Sequence, residues 1–470
     1  MRRISLALSL AACLASAPSG AFKIDPWSYR PFGVSPRGIE SQLESLIHNP
    51  RLLLLGPLAM GARLPASIGQ LKEPAHENLT ELSIRCARAP LARAGAHSAA
   101  GTTPATGNEP VPGMIARCAG RDGPLQKHAP DLGTEAEELI RAVRFNDAPP
   151  VKTARALMAL VTPSALICGE VRVPENAGCW AMLMSHAAGL AALDPGHAQF
   201  GRSGNLLYRS HFGDMQFMHA MASRGDTLAH AHERLLLWAQ FTYQVADGEI
   251  APATVIGTLP RFASILAGFE TSTAADFFEV RGGAAPGRVA RLALGALLHT
   301  VQDSFAAGHA ERETLGGTNF GAISALHDYS CQSDEKHGNA DHAGHYAWFN
   351  AITHEANSPV TIGAQLIDLL ARKIKWDDAP GEAGSGTVAQ YLRETVFPIV
   401  SANAALVAGA GARFSRTNPV AATPSGTPSG TPSGAPSGAQ SGTQSSAGGI
   451  ISAAHADTPA ARSGALPCPE

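Results

Sequence analysis

The segment RVARLALGALLHTVQDSFAAGHAER, residues 288–312, combines a long apolar run with three polar side chains that are able to bind a metal. Its apolar residues recur at helical spacing, which predicts a helix over 288–307 at the centre of the core. His299 and Asp303 are four residues apart, so they lie on one face of that helix and can reach the same ion. His309 follows Gly308, where the helix can end, so its side chain can point in another direction.

An imidazole and a carboxylate at this spacing are more often a simple surface pair. Here the surroundings of His299 (LALGALLHTVQ) are apolar on nearly every side. A carboxylate buried at Asp303 is costly unless a cation or strong donors accompany it. The sequence therefore favours a metal-binding role for the pair.

A second pair with the same spacing follows in SDEKHGNADH, residues 333–342, which supplies His337 and Asp341. Nitrogen and oxygen ligands without thiolates suit hydrolytic zinc, which activates water and polarises phosphoryl oxygens. The chain has no Cys-x-x-Cys spacing, so a cysteine zinc site is not expected.

The rest of the chain between residues 22 and 414 is rich in helical patterns, and alternating strand patterns are scarce. Further helices are predicted at 135–145, 226–246 and 361–376. The fold class that we expect is all-α, a single multi-helix domain over 22–414 with loop insertions such as 92–113. Residues 415–470 contain a TPSG repeat that cannot bury enough apolar surface to offset ordering entropy, so a disordered tail is predicted.

The first 21 residues predict a signal peptide, with Arg2 and Arg3 before an apolar run and a small-residue cleavage site. This indicates an exported protein, secreted or periplasmic. An alternative is an outer-membrane lipoprotein, because Leu10–Cys13 resembles a lipobox and Cys13 would then be lipidated. No apolar run reaches the roughly 18 residues that a membrane-spanning helix needs.

Six cysteines follow Cys13, which permits up to three disulfides in an exported protein. Cys168 and Cys179 bracket a short loop and form the most plausible local pair. The formal net charge of the chain is −3. This balance disfavours a stable nucleic-acid partner that is bound through a basic patch.

The pattern H-x3-D-x5-H followed by H-x3-D resembles the superfamily of zinc-dependent phospholipases C and single-strand-specific nucleases, and its flanking words look most like the bacterial phospholipase C branch. The resemblance implies an all-helical fold with two or three Zn²⁺ ions in a cleft. It implies that His299 and Asp303 bind a pair of zincs, with the aspartate bridging them. It also implies that His309, His337 and Asp341 bind the remaining zinc.

The resemblance extends to residues upstream. Asp147, in RFNDAPP, looks like the family's aspartate at the paired zincs and general base, although an aspartate in a proline-bounded turn is equally common. His211, in YRSHFGD, is similar to the next histidine ligand, and His219 is its rival or an outer partner. His76, in PAHENLTELSI, looks like the early histidine at the third zinc.

The chain departs from the family at its N-terminus. Family members begin with a mature tryptophan that binds zinc, whereas this chain offers only Trp27, at an implausible cleavage point. The third zinc is therefore held differently, with Glu77 as a candidate helper, or is weak or absent. Of the other histidines, we expect His230 and His232 to be solvated, and His327 matches no ligand position.

These observations predict a zinc-dependent phosphoric ester hydrolase, a phospholipase C acting on a phosphatidylcholine-like lipid at a membrane surface. A zinc-activated water would attack phosphorus, with Asp147 as the base. Two alternatives stay open from the sequence. One is a single-strand nuclease or 3′-nucleotidase with the same site, and the other is a non-catalytic exported lipoprotein that binds metal.

Overall fold

The part of the chain that carries the helical core is described by a computed structural model over residues 75–88, 118, 132–147, 149, 206–278, 286–314, 320–332, 336–337, 357–378 and 386–415. The chain divides into one unit of residues 1–416 with 466–470 and another of residues 417–465, and every described residue belongs to the first. The predicted signal peptide, the Cys168–Cys179 pair, Asp341 and residues 416–470 lie outside the described residues, so what the sequence indicates for them stays a prediction.

Helices dominate the described residues, which confirms the mainly α-helical prediction. The helices are α1 (Ala75–Arg88), α2 (Thr134–Ala142), α3 (Leu206–Phe212), α4 (Leu228–Asp247), α5 (Pro260–Ala263), α6 (Ala274–Phe277), α7 (Pro286–Asp303), α8 (Pro359–Ala371) and α9 (Val388–Gln390). Short helical turns span Val143–Phe145, Gln216–His219, Ile256–Thr258, Tyr329–Cys331, Tyr391–Val396 and Ser401–Asn403. The two strands are β1 (Ala310–Arg312) and β2 (Ile323–Leu326).

Helix α7 is the central element, and every residue from Ala293 to Asp303 is buried. It ends at Asp303 rather than at residue 307, because the following turns tighten. Phe305 N donates to Gln302 O at 3.1 Å and Ala306 N donates to Asp303 O at 2.9 Å. These short-range bonds turn the chain toward β1, which pairs antiparallel with β2.

A buried polar network ties α4 and the turn Gln216–His219 to α7. Trp238 Nε1, on α4, donates to Thr300 Oγ1 at 3.0 Å. Thr300 Oγ1 lies 2.7 Å from Met218 O, and Asn146 Nδ2 donates to the same carbonyl at 2.6 Å. Because buried polar groups are costly when unpaired, this network fixes the relative positions of the three segments.

Helix α1 packs against α8, and the end of α1 is covalently anchored. A disulfide joins Cys86, near the end of α1, to Cys118. Cys86 is buried with Leu79, Leu82 and apolar residues of α8. This pairing involves two of the six cysteines that the sequence made available, although not the local pair it favoured.

The other predicted helices are present with shifted ends. The 135–145 prediction corresponds to α2 and the turn Val143–Phe145, the 226–246 prediction to α4, and the 361–376 prediction to α8. Helix α4 begins after the N-cap Thr227. It is followed by the C-cap Gly248, whose φ of 86° favours a glycine. The expectation that His232 is solvated was wrong, because it lies on the buried face of α4.

Within the described ranges, no helix combines the length and the apolar character that crossing a bilayer requires.

The contact between α7 and α2 leads to a prediction about stability. A Cβ built on Gly295 would lie 2.4 Å from the carbonyl carbon of Ala142, so the two helices could not approach as they do. We expect Gly295→Ala to lower the free energy of unfolding by about 2–3 kcal/mol, as overpacking in a core does. Urea unfolding monitored by circular dichroism measures this change.

Gly287→Ala is the matched control in the same helix, because its Cβ would meet only the flexible guanidinium of Arg291, at 3.2 Å. That substitution should be neutral or stabilising by at most about 1 kcal/mol. Equal effects of the two substitutions would contradict the close α2–α7 contact.

Candidate metal centre

The predicted metal ligands that the structure describes lie in one buried cluster. They come from separate parts of the chain and are His76 on α1, Asp147 after the turn Val143–Phe145, His211 on α3, His219 in the turn Gln216–His219, His299 and Asp303 on α7, His309 just before β1, and His337. Each of these residues is at most 3% exposed. Asp341, the remaining predicted ligand, lies outside the described residues.

Asp303 is the centre of the cluster. Its Oδ2 lies 2.9 Å from His219 Nδ1 and 3.0 Å from His299 Nε2. The same oxygen lies 3.5 Å from His309 Nδ1, and Oδ1 lies 3.3 Å from His76 Nε2. One carboxylate thus faces four imidazoles, two of which are more than 70 residues away in the sequence.

The remaining residues extend the cluster on two sides. Asp147 Oδ1 lies 3.7 Å from His299 Nε2, and the ring of His76 stacks on His299 with centroids 3.7 Å apart. The rings of His211 and His219 have centroids 4.5 Å apart. His337 extends the cluster on the other side through the ring of His309, at a centroid distance of 4.8 Å.

Three sets of side chains bring one ligand atom each to within 4.8 Å of one another. They are His76 with Asp147 and His299, Asp147 with His211 and His219, and His219 with Asp303 and His309. Asp147 and His219 each belong to two of these sets. A carboxylate that two sets share, as Asp147 does, is expected where neighbouring metal ions lie a few ångströms apart, whereas His219 has one free ring nitrogen and can serve only one of its two sets at a time.

The electrostatics of the cluster suit a cation. Burial lowers the pKa of His299 to about 3, against the opposing effect of Asp303. Burial also lowers the pKa of His211 and of His219. These imidazoles are therefore neutral at pH 7, and a neutral imidazole is the form that binds metal.

Asp303, in contrast to these neutral histidines, stays in its charged form. Burial by itself would raise its pKa, but the nearby His299 and His309 hold the pKa well below its ordinary value. An ionised carboxylate beside the neutral imidazoles of His219 and His299 gives this part of the cluster net negative charge. A bound cation would compensate that charge.

The donor set also fits a metal ion. His211 Nε2 is buried and has no hydrogen-bond partner in the described part of the chain, which is expected for a nitrogen that binds an ion. His211 Nδ1 lies 3.0 Å from Leu207 O and His299 Nδ1 lies 2.7 Å from Val143 O. Backbone carbonyls that hold the outer nitrogen are common behind metal-binding histidines.

His219 is more central to the cluster than the sequence predicts. It ranked as a rival of His211, whereas in the structure both lie in the cluster and His219 belongs to two of the three sets. His219 Nε2 lies 3.1 Å from Asn146 O, so its Nδ1 is the atom that faces Asp303. No periodicity marks this residue, because it lies in a short turn.

Glu77, the candidate helper for a third zinc, lies elsewhere in the packing. Its Oε1 accepts a hydrogen bond from Arg144 Nε, and both side chains are buried. This ion pair joins α1 to the turn that precedes Asp147. Trp27 lies outside the described residues.

His327 and His230 were not predicted as ligands. His327 Nδ1 lies 3.1 Å from Gly308 O, and its Nε2 lies 3.4 Å from Glu311, at the edge of β1. His230 is 62% exposed at its side chain and pairs with Asp226. Neither contributes to the three ligand sets.

Comparisons of the chain with protein-family models, with curated proteins and with solved structures find no match.

The shared ligands lead to a prediction of metal content. Protein that is loaded with divalent metal and then desalted should retain at least two ions per chain. Asp303→Asn removes the carboxylate that faces four imidazoles, so we expect it to lose at least one of these ions. Inductively coupled plasma mass spectrometry measures the content.

Asp377→Asn is the control, because Asp377 is an exposed aspartate. It should keep the full metal content. Equal contents in the Asp303 and Asp377 variants would refute a metal role for the cluster.

The lowered pKa of His299 leads to a prediction for the metal-free protein. Between pH 6.5 and about 3 the unfolded chain binds a proton at His299 that the folded chain excludes. Stability should therefore fall as the pH falls through this window, by about 1.4 kcal/mol per pH unit for each such residue. The lowered pKa of Asp303 acts in the same direction, since its stabilisation is lost as the carboxylate becomes protonated.

Urea unfolding of chelator-treated protein at several pH values between 4 and 7 measures this dependence. His299→Leu should reduce the slope, whereas His230→Leu, at an exposed position, should leave it unchanged. An unaltered slope in the His299 variant would exclude its buried neutral state.

Proposed function

We propose that the protein is a zinc-dependent phosphoric ester hydrolase, most specifically a phospholipase C that cleaves a phosphatidylcholine-like lipid to diacylglycerol and a phosphorylated head group. The observation that carries the proposal is the overlap of two ligand groups at Asp147, whose carboxylate has two oxygens to offer. A structural metal site is normally a closed set of four ligands around one ion. Overlapping groups instead fit the paired ions of phosphate-ester hydrolases.

The choice of zinc rests on the donor atoms. The described ligands are imidazole nitrogens and carboxylate oxygens without a thiolate, and the histidines His211, His219 and His299 are neutral because burial lowers their pKa. Imidazole suits zinc among the abundant divalent metals, whereas magnesium and calcium prefer all-oxygen sites. Zinc bound here would supply a Lewis acid for the phosphoryl oxygens and lower the pKa of a water.

We assign Asp147 as the residue that accepts the proton of the attacking water. Its carboxylate is buried, belongs to two ligand sets and has its Oδ1 at 3.7 Å from His299 Nε2. From this position it can orient a water between the sets and accept its proton as the water attacks phosphorus. His76 and His299 stack on each other, and each brings a ligand atom to within 4.8 Å of the Asp147 carboxylate.

Asp303 has a different role in this proposal. Its pKa is held well below the ordinary value, so it stays ionised and is a poor proton acceptor at neutral pH. Its two oxygens face different histidines, Oδ1 toward His76 and Oδ2 toward His219 and His299. With His219 and His309 it would hold an ion and neutralise part of its charge.

The substrate class rests on the H-x3-D-x5-H pattern, which resembles the phospholipase C branch of its superfamily, and on the net charge of −3, which is unfavourable for binding a polyanion. The same metal chemistry would cleave a phosphodiester in single-stranded nucleic acid. Substrate choice is therefore the part of the proposal that an assay must decide.

The test is hydrolysis of phosphatidylcholine vesicles, of single-stranded DNA and of a 3′-nucleotide by the purified zinc-loaded protein. We expect phosphocholine release that a chelator abolishes and added Zn²⁺ restores. Asp147→Asn should lower kcat by roughly 10²–10⁴-fold, the usual contribution of a general base. Asp377→Asn, at an exposed position, should have wild-type activity.

Each other outcome has a defined meaning. Cleavage of DNA or of the 3′-nucleotide without phosphocholine release would replace the phospholipase by a nuclease with the same site. Retained zinc without turnover of any substrate would identify a non-catalytic metal-binding protein. Full activity in the presence of chelator would overturn the proposal as a whole.

A further inference from the structure

Three histidines of the cluster share a hydrogen-bonding pattern at Nδ1, whereas His219 has its backbone carbonyl partner at Nε2. His299 Nδ1 lies 2.7 Å from Val143 O, His309 Nδ1 lies 2.7 Å from His219 O, and His211 Nδ1 lies 3.0 Å from Leu207 O. A carbonyl oxygen can only accept, so each of these nitrogens carries the proton. The lone pair is then on Nε2, the nitrogen at the other side of the ring.

Two further histidines have a glutamine in place of the carbonyl. His76 Nδ1 lies 2.6 Å from Gln302 Oε1, and His337 Nδ1 lies 2.5 Å from Gln332 Oε1. Both glutamines are at most 1% exposed. A glutamine amide can offer either an oxygen or an NH₂ group, so its orientation determines which ring nitrogen is protonated.

The orientation of Gln332 follows from its other contacts. Its Nε2 donates to Gly308 O at 2.7 Å and to Ala410 O at 2.8 Å. Both partners are carbonyls that only accept, so the NH₂ group must face them and Oε1 must face His337. The side chain thus connects the residue before His309, a distant loop and His337.

Gln302 lies on α7, directly before Asp303. Its Nε2 donates to Thr80 Oγ1 at 3.0 Å, and Thr80 lies one turn after His76 on α1. With Oε1 toward His76 Nδ1, the His76 Nε2 faces Asp303 Oδ1 at 3.3 Å. This orientation gives His76 the same protonation pattern that the backbone carbonyls impose on its neighbours.

We propose that Gln302 and Gln332 are positioning residues that select the Nδ1–H tautomer of His76 and His337, and that for His76 this directs the Nε2 lone pair toward the ligand set that it forms with Asp147 and His299. The inference rests on the metal site of the proposed function. Groups that orient metal-binding imidazoles contribute about 10- to 100-fold to metal affinity. The glutamines orient the imidazoles through their side chains, so a substitution can remove this hydrogen bond. The hydrogen bond to a backbone carbonyl cannot be removed in this way.

The test compares Gln302→Met with Gln302→Glu. Methionine has a similar length but offers no strong acceptor to His76. Glutamate keeps an oxygen toward Nδ1, and the Thr80 hydroxyl can rotate and donate to its second oxygen. Gln365→Met is the matched control, because Gln365 is a buried glutamine on α8.

Two readouts are needed. Nitrogen-15 NMR of the imidazoles in zinc-loaded protein reports which ring nitrogen of His76 carries the proton, and competition with a chromophoric chelator reports Zn²⁺ affinity. We expect the Nδ1–H tautomer in the wild type, in Gln302→Glu and in Gln365→Met. Gln302→Met should show a mixture of tautomers and bind Zn²⁺ about 10- to 100-fold more weakly.

The proposal is overturned if the His76 tautomer is unchanged in Gln302→Met, or if the Met and Glu variants lose Zn²⁺ affinity equally. A wild type that hydrolyses no substrate, with the expected tautomers, would overturn the proposed function and leave this inference standing. If Gln302→Met does not fold, Gln332→Met and the tautomer of His337 provide the same test.

Discussion

The carboxylate of Asp303 is the constraint on which the described structure depends. It is fully buried and stays ionised because histidines surround it. Transfer of an unpaired carboxylate into an apolar interior costs several kcal/mol even after relaxation. The fold meets that cost by bringing imidazole nitrogens from four segments to within 3.5 Å of its two oxygens, where they can hold a cation. The same arrangement that makes the buried charge tolerable assembles the metal ligands.

Helix α7 can carry this charge because it is clamped on several sides. Gly295 allows α2 to approach its backbone, and Thr300 receives hydrogen bonds from α4 and from the segment before Asp147. Asn146, which donates that last bond, also holds His219 through its own carbonyl oxygen. The packing interactions and the ligand positions are therefore coupled, and a disturbance of the core around Thr300 would displace several ligands at once.

Local structure in the chain was largely predictable. The spacing of apolar residues gave helix α7 with an N-terminal end two residues away from the observed one, and α2, α4 and α8 within a few residues at their starts. The i,i+4 relation of His299 and Asp303 is a property of any α-helix, so these residues share a face whatever the rest of the chain does. The end of α7 was less predictable, because tight turns around Phe305 replace its last helical turn.

By itself the sequence determined the identity of the donors and the helix that presents two of them. Only the tertiary structure decided that His76, Asp147 and His211 reach the same place, because long-range packing brings them there and leaves no periodic trace. It also decided that His219, which lies in a short turn, contacts Asp303. The burial of His232 likewise depends on the tertiary packing. The roles of Gln302 and Gln332 depend on the orientation of single amide groups, whose partners lie up to 226 residues away in the chain.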